Sequence, residues 1–169
     1  EALGIEMIPV AMTEEGPDMD QVEQLVKSDQ LIKGIWCVPK YANPNGVVYS
    51  DAVVSRFAAL AKIAGANFRI MWDNAYAEHH LVDNPPELAN LLSLCEQQGT
   101  LDSAIVIGST SKITFAGAGM AFIASSESNI KQFADYLGIS TIGPDKVNQL
   151  RHVRFLKDMD GLRSLMQQH

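Results

Sequence analysis

Ala104-Ile105-Val106-Ile107-Gly108 runs directly into Ser109-Thr110-Ser111-Lys112. The first five residues read as a strand buried on both faces, the habit of parallel sheets. Small hydroxyl residues and one lysine then follow at the strand's end. Lysine is seldom buried unless paired, and a lysine held in a partly dry site readily becomes a nucleophile. Two other stretches repeat the pattern. Asp73-Asn74-Ala75-Tyr76 follows Phe68-Arg69-Ile70-Met71-Trp72, and Tyr41-Ala42-Asn43-Pro44-Asn45-Gly46 follows Ile32-Lys33-Gly34-Ile35-Trp36-Cys37-Val38. In open α/β sheets, ligands bind just beyond the carboxyl ends of strands. Three such ends here offer an Asn, an Asp with a Tyr, and a Ser/Lys pair.

Working outward, strands alternate with helices. Short strands are expected over 6–10, 32–38, 68–72, 104–108 and 120–125. Asp18 caps a helix over 19–27. Ser50 caps another that carries Val53, Val54, Phe57, Leu60 and Ala61 at helical spacing. Pro85-Pro86 opens a helix over 88–96, and Ser126 or Ser128 caps one reaching 136. Gly143-Pro144 breaks the chain before a long final helix. Alternation of this kind predicts an α/β fold with a mostly parallel sheet covered by helices on both faces.

The 169 residues suit one domain, and 47% hydrophobic with 20% charged is a composition able to bury a core. The net charge of -7 argues against a nucleic-acid surface. Cys37 and Cys95 are too few for a disulfide framework and read as buried thiols, which favours a reducing, cytoplasmic setting. No apolar run reaches membrane-spanning length. The start at Glu1, without methionine, suggests a piece of a longer chain.

Together, Asn43-Pro44-Asn45-Gly46, Asp73-Asn74-Ala75-Tyr76 and Ser109-Thr110-Ser111-Lys112 resemble the ordered signature of fold-type-I, pyridoxal-phosphate-dependent aminotransferases. The nearest likeness is to the aspartate aminotransferase-like branch, related to the aminotransferase-like domains of bacterial transcription regulators. The resemblance implies that Lys112 forms a Schiff base with pyridoxal 5'-phosphate and then carries protons. It implies that Asp73 pairs with the protonated pyridine nitrogen, which keeps the ring an electron sink. By the same likeness, Tyr76 and Asn43 bond the phenolic oxygen, and Ser109 and Ser111 donate to the phosphate. Taken alone, Asp73 and Asn43 would be ordinary turn formers and Tyr76 an amphipathic core-edge residue.

The chain departs from the pattern at Met120, where many relatives place a phosphate-clamping arginine; no arginine occurs between Lys112 and Arg151. The likeness further implies that residues 1–143 are part of a cofactor-binding large domain. Residues 144–169 are then a long helix leading toward a small domain. It implies amino-acid and 2-oxo-acid substrates, a homodimer, and an Asn43–Pro44 bond that is cis. Glu78, His79 and His80 lack metal-ligand spacing and read as site-rim residues. Two other readings stand beside the enzyme: a non-catalytic effector-binding domain of a regulator, and a serine–lysine acyl enzyme built on Ser109-x-x-Lys112.

Overall fold

The computed structural model describes residues 3–168; Glu1, Ala2 and His169, at the outer ends of the two expected regions, lie outside the described residues. A small antiparallel hairpin joins β1 (Met12–Thr13) to β2 (Gly16–Pro17). Helix α1 (Met19–Ser28) follows, with the Asp18 carboxylate accepting from the backbone N–H groups of Asp20 and Gln21. Its apolar stripe of Met19, Val22 and Val26 is buried, and its polar edge is fastened to the next helix. There Arg56 donates to Glu23 at 2.7 Å and to Asp20 at 2.6 Å. The guanidinium holds the Glu23 carboxyl below its ordinary range.

The main sheet contains β3 (Gly34–Cys37), β4 (Arg69–Asp73), β5 (Ala104–Ser109) and β6 (Ala121–Ala124), in that spatial order. The first three are parallel, and β6 runs antiparallel to β5. Helix α2 (Asp51–Leu60) crosses from β3 to β4, and α3 (Leu91–Gln98) crosses from β4 to β5. The expected mostly parallel α/β sheet flanked by helices is therefore present. Right-handed crossovers that advance strand by strand in one direction put their helices on the same face. On that face Val54, Phe57, Leu60, Ile70, Trp72, Leu91, Cys95 and Ala104 form the core. Fully burying a large apolar side chain contributes about 1.5–3 kcal/mol. On the opposite face Met71, Ile105 and Ile107 are half-buried and Trp36 is 58% exposed.

Three local expectations are corrected. Residues 6–10 form no strand; they have no partner strand among the described residues, and Met7 and Ile8 are exposed. The third helix starts at Leu91, because Asn90 is its side-chain cap, accepting from Ser93 N–H at 3.1 Å; the two prolines stay in the loop. The long final helix over 144–169 is instead two helices, α5 (Lys146–Leu156) and α6 (Met159–Met166). Lys157 turns out of helical geometry at φ 66°, and Asp158 caps the new helix on Gly161 N–H at 2.8 Å. The helix before these two, α4 (Glu127–Thr141), is capped by Ser126 and outruns its expected end at 136.

Candidate active site

The site begins beneath the sheet edge. Trp72 is wedged among aromatic rings, 5.5 Å from Phe57 and 5.7 Å from Tyr49 between centroids. Alternation along β4 then sends the next residue, Asp73, to the opposite face, toward Met71 and Arg69. Asp73 Oδ1 accepts the Ala75 N–H at 3.0 Å, and Asn74 N–H donates to the Ile107 carbonyl at 2.7 Å. This turn, tied to both strands, carries Tyr76.

Strand β5 ends at Ser109, on the same face as Ile105 and Ile107. Ser109 Oγ lies 2.8 Å from Ser111 Oγ and accepts the Ser111 N–H at 3.1 Å. The loop returns at Met120, whose carbonyl accepts the Thr110 N–H at 2.8 Å and whose N–H donates to Thr110 Oγ1 at 2.7 Å. Gly119 lies so near Ser111 that a Cβ on it would meet the Ser111 backbone. Lys112 Nζ sits 5.1 Å from the centroid of the Tyr76 ring. His79 interlocks the two loops: its Nε2–H donates to the Lys112 carbonyl at 3.2 Å, and its ring meets the Tyr76 ring edge-on at 5.5 Å.

Asp73, Tyr76, Ser109, Ser111 and Lys112 thus lie together at the carboxyl ends of β4 and β5. Asn43 follows the adjacent parallel strand on the same rim and, like Lys112, is exposed, so the lysine does not sit in the partly dry setting expected from the sequence. Among the described residues its side chain forms no hydrogen bond with those five. Its loop is closed by Gly46 N–H to the Ala42 carbonyl at 2.6 Å. The Asn43–Pro44 bond is cis, as expected, and so is Lys40–Tyr41. The loop is fastened to the neighbouring one by the 2.9 Å bond between Tyr41 Oη and His80 Nδ1. Burial, helped by Glu78, pushes the Tyr41 phenol above its ordinary value.

The serine–lysine acyl-enzyme arrangement is not assembled. Ser109 Oγ is paired with Ser111, while Lys112 Nζ faces an aromatic ring. His79 reads from the sequence as a rim residue, but nothing there marks it as the tie between the loops, and nothing marks His152 and Asn148. His152 bonds the hydroxyls of Thr110 and Thr114, and Asn148 bonds the Ala118 carbonyl. The available signal was one histidine in an otherwise amphipathic helix.

A sheet of this order with its polar residues on one rim is that of the fold-type-I transaminases. The chain superposes on the aspartate transaminase of Corynebacterium glutamicum with a TM-score of 0.94 at 45% identity, covering 99% of this chain and 39% of that one. A fold likeness at 22% identity, TM-score 0.77, extends to the alpha-aminoadipate aminotransferase of Thermus thermophilus, solved with N-(5'-phosphopyridoxyl)-L-leucine. Residues 1–169 match the aspartate amino-transferase family, and the chain belongs to it. A curated aspartate aminotransferase of Corynebacterium glutamicum is 46% identical over all 169 residues. The chain spans 39% of that relative's length. These relatives are aminotransferases by name; none of them is a transcription regulator.

Proposed function

We propose that the full-length protein is a pyridoxal-phosphate-dependent aminotransferase that moves an amino group from an amino acid to a 2-oxo acid. Aspartate and 2-oxoglutarate are the first pair to test, by likeness to the Corynebacterium glutamicum relative. The observation that carries the reading is the convergence of Asp73, Tyr76, Ser109, Ser111 and Lys112 on one rim. The donor set suits the cofactor: a carboxylate, a phenol, two hydroxyls and an amine. Asn74 Oδ1 and His79 Nδ1, in the turn between them, are buried without a hydrogen-bond partner. Such atoms cost about 1–3 kcal/mol each, which supports a polar ligand there.

Bound at this rim, pyridoxal 5'-phosphate supplies an aldehyde that condenses with amines and a cationic ring that withdraws electrons from the substrate Cα. Asp73 holds a proton on the ring nitrogen, its orientation fixed by the Ala75 N–H. Tyr76, with Asn43, donates to the phenolic oxygen. The hydroxyls of Ser109 and Ser111, with the backbone N–H groups of their turn, receive the phosphate. Lys112 Nζ is the amine that holds the aldehyde and later moves the proton at the substrate Cα. A cytoplasmic homodimer belongs to the same proposal.

The test is the absorbance of the full-length protein loaded with cofactor. A visible band is expected that disappears in Lys112→Ala, bleaches with aspartate and returns with 2-oxoglutarate. A band that survives Lys112→Ala, or ignores every amino donor offered, refutes the reading.

A further inference from the structure

Helix α5 meets the rest of the chain by a polar edge. Val147, Leu150, Val153 and Phe155 are exposed, whereas His152, at 8% exposure, is the helix's one buried side chain among the described residues. A surface helix ordinarily buries an apolar stripe. Here Asn148 and His152, one turn apart on one face, are turned toward the 110–120 loop. His152 Nδ1 lies 2.9 Å from the Asn148 carbonyl. A carbonyl only accepts, so Nδ1 carries the hydrogen and Nε2 presents its lone pair. That lone pair faces Thr110 Oγ1 at 3.0 Å and Thr114 Oγ1 at 3.1 Å.

The two threonines stand two residues before and two residues after Lys112. Thr110 Oγ1 also takes the Met120 N–H, so the atom His152 holds is the one that closes the loop. Asn148 Nδ2 donates to the Ala118 carbonyl at 3.0 Å, and Phe155 lies against Phe115 at 6.5 Å. Burial in an apolar stripe is non-directional. Buried hydrogen bonds fix both orientation and register.

We infer that His152 is a positioning residue for Lys112. Its Nε2 accepts the Thr110 hydroxyl at the head of the lysine's turn, with Thr114 Oγ1, itself donating to the Thr110 carbonyl at 3.1 Å, packed beside it, and so sets where the amine stands over the Tyr76 ring. The inference rests on the aminotransferase reading of Lys112. The test compares full-length wild type with His152→Phe, which fills the space without an acceptor, and His152→Gln, which restores one. In the cofactor-free protein, amides 110–120 of His152→Phe should exchange about tenfold faster. In the loaded enzyme, kcat should fall about tenfold while KM stays within about twofold. His152→Gln should return both toward wild type. Unchanged exchange, faster exchange with unchanged kcat, an equal change in KM, or failure of the glutamine to rescue each overturns the inference. If His152→Phe does not fold, the smaller His152→Leu, which also lacks an acceptor, carries the same comparison. A wild type that cannot transaminate sinks the functional reading instead, and amide exchange then decides the anchoring by itself.

Discussion

Replacing Gly119 with alanine puts one methyl group where the chain has left no room. A Cβ at this position would stand 2.6 Å from both the backbone nitrogen and the Cα of Ser111. Ordinary contact starts at 3.4 Å, so the Ser111–Lys112 turn must retreat by about 0.8 Å. Both atoms are main chain, and no rotamer change relieves them. The effect is steric, because Gly119, unlike Gly117 at φ 79°, does not need a left-handed backbone. Overpacking of this kind costs about 1–3 kcal/mol. Misplacing a reacting group by about 1 Å can cost about 100-fold in rate. The full-length Gly119→Ala protein should therefore fold, unfold at lower urea, and lose roughly two powers of ten in turnover. Steady-state transamination and urea titration read the two effects separately. Wild-type turnover with wild-type stability would show that the Ser111 turn is not held against Gly119, and the placement of Lys112 would have to be withdrawn.

Asp73→Asn keeps the acceptor for the Ala75 N–H and removes only the charge. Cofactor should still load, while the half-reaction slows by about 100-fold or more; near-wild-type rates make Asp73 a turn residue and nothing else. Phe57→Ala empties a fully buried site stacked on Tyr49 at 6.0 Å, and should cost about 3–5 kcal/mol in denaturant unfolding; a loss below about 1 kcal/mol contradicts the packing. Arg56 lowers the Glu23 carboxyl, so this pair's contribution is fully present above the unfolded value of 4.5 and is lost as pH falls through the lower folded value. The pair is partly exposed, so Glu23→Gln should destabilise by no more than about 1 kcal/mol near neutrality, with the deficit vanishing in acid. A deficit that grows on acidification reverses the sign.

The strands of the main sheet were legible because their apolar runs end in polar turns, and Asp18, Ser50 and Ser126 announced their helices. What misled was local signal without its tertiary partner. Residues 6–10 alternate like a strand but find nothing to pair with among the described residues. The pattern over 144–169 looked continuous because an aspartate reads equally as a helix residue and as a cap. Only the backbone at Lys157 decides in favour of the cap at Asp158. At the site, three strand ends could be put on one rim from topology alone. The ties between them could not: His79 to the Lys112 carbonyl, Tyr41 to His80, and His152 to two threonines span 33, 39 and about 40 residues. No periodicity encodes contacts of that range.

Trp72 and Asp73 are adjacent on β4 and point in opposite directions, the indole into the aromatic core and the carboxylate to the face of Met71 and Ile107. Asp73 is paired with Ile107 in a ladder whose side-chain period is two. Slipping that ladder by one residue exchanges them, driving an unpaired carboxylate into a dry core and an indole out onto the rim. Burying such a charge costs several kcal/mol, a large part of what holds an ordinary domain together. The core therefore selects the register that leaves Asp73 on the rim. A one-residue slip is disfavoured by packing alone, before any ligand is bound.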